Sequence, residues 1–575
     1  MWEVARSWIL RTLALRPIQV GVPGSRLIEI EPRRAYKFPD DPLALSGDVV
    51  GRVTEPISDS EQSFARLKQW YHDCLGSHTE CYPVRSLGLT MPTQITKGED
   101  GPLPTRLINI GSADGKQNPF LWECGGSEGC YAALSYCWGT STPFTTQIDS
   151  YKDRLQGFTL DELPKTVRDA VVITRMLGLQ FLWVDALCII QGDSNDWQRE
   201  SSKMDHIYGN ASITIAATAS KDSSDGCFVR RTTPLTNSVP LRSVCSNSDK
   251  VGTLFISEKL GSVHEILDRS PLNNRGWCLQ ERVISRRIIH FAQDQMYWEC
   301  QKHCAAEDGT IIEDQNAPKR CLHFGEVSFR EPTLATVMRS WHIIVTEYSM
   351  RNLSLSSDKL PAISGLASQI AKRTGAEYLA GLWRQDLPFG LLWQASHGEG
   401  KRVIDKWRAP SWSWASIDGP VNSQGYRAGA ILLDKILDEA VILSAEVHLA
   451  GENPFGEVAD GLITMRGRTK RARRASTKEQ FDYGGWVGNV SYEFPILNDK
   501  GLAIGDVVFD YGLEKEPESF DCLLICKGHT KAGELRCYVL IIACASRMGH
   551  YTRIGVGYMS EDYFQSCDSR IITIV

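Results

Sequence analysis

FLWVDALCII, residues 181–190, is an almost unbroken apolar run that carries one acid, Asp185. Its aliphatic and aromatic side chains suit a strand buried on both faces, the kind found at the centre of an α/β sheet. The flanks agree. Upstream, Leu163 to Gly178 places Val167, Ala170, Val171, Thr174 and Leu177 on one helical face, with Pro164 near its start and Gly178 as its stop. Downstream, Ser194 or Asn195 can cap a second helix whose Trp197, Met204, Ile207 and Tyr208 form an apolar stripe.

Two more short strands bracket this unit. YAALSYCWG, 131–139, ends in Ser135, Tyr136 and a Trp138-Gly139 turn, which places small polar groups at the carboxyl end of a strand, where ligands gather in open α/β sheets. ASITIAATAS, 211–220, is made of small and β-branched residues. The order strand, helix, strand, helix, strand predicts three parallel strands joined by right-handed crossovers. Residues 221–270 read as an insertion with short strands such as TLFIS at 253–257. Asn273 and Asn274 then cap a helix opening with GWCLQERVIS, where Trp277, Glu281 and Ile284 share a face at i, i+4 and i+7.

The chain therefore divides into four expected regions. Residues 1–125, punctuated by proline, form a lead-in with one helix near Ser63 to Cys74; 131–287 form the α/β domain; 288–427 are mixed and helical; 428–575 carry short alternating strands and form a β-rich end. LPAISGLA at 360–367 and APSWSWASIDG at 409–419 look like packing corners, and IIHFAQDQMYWEC reads as a strand and a turn.

Composition narrows the function classes. With 575 residues, 23% charged and 42% hydrophobic, the chain has the balance of a folded globular protein of several domains. A net charge of -6 gives no global basic field, so nucleic acid is not an expected partner. Arg6, Arg11 and Arg16 interrupt the first apolar residues, and no apolar run reaches membrane-spanning length. The 17 scattered cysteines, several inside apolar runs, read as reduced thiols, and a cytoplasmic location is expected, with a nuclear one as the alternative. The one basic cluster, RGRTKRARR at 466–474, is read as a solvated loop between strands, with nuclear import or phosphate binding as the competing reading. Cys74, His78 and Cys81 lie together in CLGSHTEC, with Cys124 and Cys130 further on. Thiolate and imidazole can hold zinc, but without a CxxC pair the expectation is a surface turn with buried thiols and no metal.

Three blocks together resemble the heterokaryon incompatibility (HET) domain of filamentous fungi: YAALSYCWG, the stretch from Leu163 to Ser220, and NNRGWCLQERVISRR at 273–287. YWEC at 297–300 and APSWSWAS at 409–416 resemble stretches that accompany it. The resemblance implies a role in non-self recognition between fused cells and the cell death that follows, with a protein partner it does not identify. The domain is in turn distantly similar to Toll/interleukin-1 receptor-type (TIR) domains, which implies a TIR-like, flavodoxin-like parallel sheet and self-association. In the members of that second family that cleave NAD, a Trp followed four residues later by Glu marks the catalytic glutamate, and Trp277 and Glu281 have that spacing.

Under this resemblance NAD is a candidate substrate, no cofactor is required, and Glu281 is the first candidate acid, because a carboxylate can stabilise an oxocarbenium-like centre. The structural alternative is a first-turn acid that favours the helix dipole. Glu200, three residues after Trp197, is the rival acid, or else a salt-bridge partner of Lys203 or Arg199 on a solvated face. Ser135, Tyr136, Trp138 and Trp277 are candidate ligand contacts. Asp185 orients a ribose hydroxyl, caps the loop at Gly192, or pairs with Arg168 or Arg175. TIR-type sequences often have a basic residue just after the Ser-Tyr pair; here it is Cys137, which argues against a phosphate-binding loop. A non-catalytic signalling module is the competing function.

Overall fold

The computed structural model describes residues 53–82, 101–112, 116–141, 144–231, 239–244, 249–257, 263–309, 333–396, 406–423, 437–475, 490–498, 500–510, 517–529, 535–547, 549–565 and 567–575, with short pieces at 18–20, 28–30, 34–36, 41–42, 311–312, 401–402 and 479–482. Much of the expected lead-in, several of its prolines and the expected boundary near 428 lie outside these residues. The chain divides into two compact units: 1–193, 206–274 and 285–317 in the first, 194–205, 275–284 and 318–575 in the second.

In chain order the elements used below are α1 (Glu61–Ser77), β1 (Arg106–Asn109), β2 (Phe120–Glu123), β3 (Ala132–Ser135), α2 (Lys165–Met176), β4 (Phe181–Trp183), α3 (Ser194–Ser201), α4 (Met204–Asn210) and β5 (Ile213–Ala216). They continue with α5 (Trp277–Ile284), β6 (Arg287–Phe291), β7 (Met296–Cys300), β8 (Cys304–Ala306), β9 (Ile311–Ile312), α6 (Leu334–Ser349) and α7 (Pro361–Thr374). The β-rich end holds β10 (Val441–Leu449), β11 (Val458–Arg474), β12 (Val490–Leu497), β13 (Ala503–Phe509), β14 (Ser519–His529), β15 (Leu535–Cys544), β16 (Tyr551–Met559) and β17 (Ser569–Ile574).

The first unit is built on a nine-stranded sheet in the order β9-β8-β7-β6-β5-β3-β4-β1-β2. β4, β3, β5 and β6 run parallel, with Leu182 opposite Ala132, Ile213 opposite Ala132, and Thr214 opposite Ile288. The sheet is mixed, however, and not the all-parallel one expected. Both flanks are antiparallel: β6 pairs with β7, β7 with β8 and β8 with β9 on one side, and β4 with β1 and β1 with β2 on the other. Every residue of β3, β5, β6 and β7 is buried, as in a sheet covered on both faces, and β6 and β7 carry Arg287, His290 and Glu299 inside it. On one face lies α1, whose Ser60 cap accepts from Ser63 N at 3.1 Å and whose Trp70 packs on Trp298 of β7 with ring centroids 6.4 Å apart.

The founding stretch is shorter as a strand than expected. β4 covers three residues, and Asp185–Cys188 form a single helical turn before Ile190–Gln191 pairs with Thr146–Gln147. The break has a local cause. Asp185 Oδ1 accepts from Ala186 N at 2.7 Å, and Cys188 N donates to Val184 O at 2.7 Å, so backbone groups that would extend a ladder close a turn instead.

In the second unit α7 begins with Pro361 and ends at Gly375, whose φ of 68° is the left-handed stop. The expected packing corners are cores of indole: Trp341, Trp383, Trp412 and Trp414 are fully buried, and Trp341 and Trp414 both donate to Gly381 O, at 2.9 and 2.8 Å. Beyond them the strand pairings close a ring: β11-β14-β15-β16-β13-β12 and back to β11. Alternate residues such as Phe494, Ile496, Val507, Phe509, Cys522, Leu524, Val539 and Ile541 fill one core. The basic cluster is not a loop. It is the second half of β11, a strand of 17 residues in which Met465, Gly467 and Ala472 are buried while Arg466, Arg471 and Arg473 are exposed. Arg468 Nη2 reaches Glu439 Oε2 at 2.6 Å and Lys470 Nζ lies 4.2 Å from the Tyr563 ring centre, so part of the charge is matched within the barrel.

Candidate functional site

In the parallel part of the first sheet the chain steps from β3 to β4 on one side, then to β5 on the other and on to β6. The strand order thus reverses between β3 and β5. Carboxyl ends of strands at such a reversal are where open α/β sheets place ligands. Ser135 and Tyr136 leave β3 there, buried at 2% and 4% exposure. Because Trp183 lies opposite Ala133, Asp185 and Ser135 sit two residues beyond a matched pair on adjoining strands. Trp138, half-buried, donates its Nε1 proton to Asp185 Oδ2 at 2.8 Å. The first unit therefore brings together Ser135, Tyr136, Trp138 and Asp185. Neither arginine expected for Asp185 plays that part: Arg168 pairs with Asp161 at 3.4 Å and Arg175 donates to Ile110 O at 2.6 Å.

The loops leaving this edge are tied down by carboxylates. Gly139 has φ 72°, and a Cβ there would stand 2.0 Å from Asp222 Oδ2. That oxygen accepts from Thr140 N at 2.7 Å and Ser141 N at 3.1 Å, while Oδ1 accepts from Ser224 N at 3.0 Å and from the Ser141 hydroxyl. The Ser141 hydroxyl and the Ser224 amide hold the Asp222 carboxyl well below its ordinary range. Asp169, on α2, accepts from Cys227 N at 2.8 Å and Phe228 N at 3.3 Å, which fastens the 222–228 segment to the helix. Asp222 escaped the sequence reading because it lies in a stretch of serines and acids, KDSSDG, with no periodic pattern.

Glu200, Trp277 and Glu281 belong to the second unit. Glu200 is 1% exposed, with Oε1 3.1 Å from Lys203 Nζ and 3.6 Å from Arg199 Nε. Its ion pairs are thus the expected ones, but the carboxylate is buried and not on a solvated face. Trp277 packs edge-on against Trp197 with centroids 6.3 Å apart and donates to Asp358 Oδ2 at 2.9 Å. Burial raises the Asp358 pKa above the usual carboxylate range. Glu281 follows one turn later on α5 and is 6% exposed. Its neighbour Gln280 accepts from Gly365 N at 3.1 Å, and a Cβ on Gly365 would come within 2.8 Å of the same Oε1, so α5 and α7 meet closely at that glycine.

Two further constellations lie in the first unit. Thr218 Oγ1 stands 3.1 Å from His290 Nδ1, and His290 Nε2 stands 3.1 Å from Glu299 Oε2. This is the order of groups in a hydroxyl nucleophile, base and acid. With Thr218 at 0% exposure and His290 at 1%, the chain of bonds serves the core by satisfying buried polar atoms. The second constellation is Cys74, His78, Cys81 and Cys300, whose ligand atoms lie within 4.8 Å of one another. Sequence spacing pointed to the first three and proposed Cys124 and Cys130 as company. The fourth member is the last residue of YWEC, brought in by β7.

Residues 131–281 match the family model described as Heterokaryon incompatibility protein (HET). The match begins at the residue before β3 and ends at Glu281 on α5. No curated protein and no solved structure matches the chain. Among the described residues no helix is long and apolar enough to cross a membrane.

Proposed function

We propose that this chain is a heterokaryon-incompatibility-type effector, acting in non-self recognition and the programmed cell death that follows, and that its α/β region works as a TIR-like signalling module that self-associates and engages a protein partner. The match over 131–281 carries the role. The strand order β4-β3-β5-β6 supports the TIR-like reading, since it runs second, first, third, fourth in chain order, as flavodoxin-like sheets do. Burial of both candidate acids favours signalling over turnover: Glu281 at 6% and Glu200 at 1% exposure offer little surface to a ribose.

A second reading, cleavage of NAD, has one observation in its favour. Trp138 and Asp185 set an indole and a carboxylate side by side at the strand-order reversal, groups suited to stacking on a base and accepting from a ribose hydroxyl. One experiment separates the two. The full chain is incubated with NAD across a concentration range that spans its self-association, and nicotinamide is followed beside growth arrest in a fungal host. The signalling reading expects arrest without nicotinamide release, unchanged in Glu281→Gln. Release by the wild type, lost with arrest in a folded Glu281→Gln or Glu200→Gln variant, transfers the function to the enzyme and names its acid. Absence of arrest in a host expressing the folded chain sinks the effector role.

A further inference from the structure

The cluster at the end of α1 bears on a different chemistry. Cys74 is in the last turn of the helix, and its carbonyl accepts from His78 N at 3.2 Å. His78 O in turn accepts from Cys81 N at 3.0 Å, so a tight turn folds three potential ligands toward one point. Cys300 arrives from β7, where Cys300 N donates to His303 O at 3.0 Å across the turn that follows. Its Sγ lies 3.4 Å from His78 Nδ1, although the two residues are 222 positions apart.

We propose that Cys74, His78, Cys81 and Cys300 form a closed zinc site that fastens the end of α1 to β7. Zinc bound to sulfur at about 2.3 Å and to imidazole nitrogen at about 2.0 Å in a tetrahedron needs donor atoms somewhat under 4 Å apart. The four donors, all within 4.8 Å of one another, already approximate that shell. Three soft thiolates and one imidazole select zinc over the hard cations. With four protein ligands and no open position, the site is structural.

The surroundings supply the matching charge. Zinc with three thiolates and a neutral imidazole carries one net negative charge. Arg287, 0% exposed, places Nε 3.1 Å from Cys74 Sγ, Nη2 3.3 Å from Cys81 O and Nη1 3.2 Å from Ser212 O. A guanidinium donating to a ligand sulfur is the outer-shell partner such a site uses to hold thiolate orientation and charge. Cys74 and Cys81 are both at 0% exposure and Cys300 at 6%, so the three sulfurs are shielded from solvent, while His78 is half-buried. A disulfide would use two of the three sulfurs and strand the third beside the imidazole. The described cysteines are all free thiols.

The test uses the full chain, purified in reductant without chelator. Elemental analysis by plasma mass spectrometry is expected to find zinc equimolar with protein, released when the thiols are modified. Replacement by cobalt is expected to give the visible bands of a tetrahedral ion and near-ultraviolet charge transfer from thiolate. Cys300→Ser is expected to lower zinc affinity by more than the roughly 10–100-fold that loss of an outer-shell partner costs. Cys124→Ser and Cys130→Ser should retain the metal. The cobalt spectrum of the wild type decides the matter if Cys300→Ser does not fold. A folded chain that holds no zinc and gives no thiolate charge transfer with cobalt overturns the proposal. So does mass spectrometry of the unreduced chain that finds a disulfide among Cys74, Cys81 and Cys300.

Discussion

Two buried cations in the second unit show how single residues set conditions for the fold. Arg553, at 0% exposure, faces Asp510 in a two-pronged contact, Nε to Oδ2 at 2.9 Å and Nη2 to Oδ1 at 3.0 Å. Its guanidinium carbon stands 3.3 Å from the centre of the Trp393 ring. Removing one partner leaves the other charge buried, so Asp510→Ala should cost about 3–5 kcal/mol in urea unfolding, and Arg553→Lys, which loses the planar fork, should also weaken the fold. Equal stability of Asp510→Ala and wild type would show that this contact is not formed. Lys359 behaves differently. Its Nζ donates to Ile417 O at 2.7 Å, and burial, reinforced by the Arg408 charge, pushes its pKa down from 10.5 to about 7. Between those values the unfolded chain holds a proton that the folded chain has released, so stability from this group rises with pH across that window. Lys359→Met should remove up to about 1.4 kcal/mol per pH unit of that slope, read as the difference between the two stability profiles. Identical profiles would place a charged, solvated lysine there.

Elements obey a different economy, in which close approach decides. On β13 a Cβ at Gly505 would lie 2.0 Å from Tyr558 O of β16, and on β16 one at Gly557 would lie 2.4 Å from Asp506 O. These strands pair Gly505 with Met559 and Val507 with Gly557. Gly505→Ala should therefore destabilise by about 1–3 kcal/mol, since backbone cannot swing aside as a side-chain tip can. Gly76→Ala, with nothing within 4 Å on α1, should instead be neutral or stabilising by about 0.5–1 kcal/mol. A urea midpoint for Gly505→Ala at or above the wild type would mean that the barrel strands do not meet at this register. The same scale explains what could be read from the residues alone. α5 forms where expected, but Asn273 and Asn274 do not cap it, since they lie in a separate turn, Leu272–Asn274, and Asn273 Nδ2 donates to Leu267 O at 2.5 Å. α2, the β6–β7 hairpin and the β-rich end follow period and stop signals, which are local. FLWVDALCII does not, because an apolar run has no period to tell a buried strand from a strand followed by a helical turn; the Asp185 carboxylate, bonded to Trp138 Nε1 and Ala186 N, decides it. The basic cluster misleads for the converse reason. Its charges suggested solvent, yet Gly467 and Ala472 turn inward between exposed arginines, and the tether of Arg468 to Glu439 is invisible until the barrel closes. Of the candidate site, Ser135, Tyr136 and Trp138 were legible at the end of a short strand, Asp185 was expected inside a strand and stands just past its end, and Asp222 and Cys300 are contributed by tertiary pairing alone.

For the whole molecule the question is what joins segments that sequence keeps far apart. The first unit draws β1 and β2, the central strands and the β6–β9 ribbon into one sheet, and α1 reaches β7 from more than two hundred residues upstream. Closing a loop of that length carries an entropic cost that four metal–ligand bonds can offset, because the preformed site does not exist in the unfolded chain. Zinc binding would then be part of the folding free energy of the first unit, while the β11–β16 barrel has a core of its own around Phe509, Leu524 and Val539. This gives a spatially resolved expectation. In amide hydrogen exchange under reducing conditions, a zinc chelator should raise exchange in the C-terminal half of α1, through residue 82, and along β7. Protection in β14, β15 and β16 should stay as it was. Uniform loss of protection in both units would mean that the effect is general denaturation, and no change near Cys74 and Cys300 would mean that no metal secures α1 to the sheet.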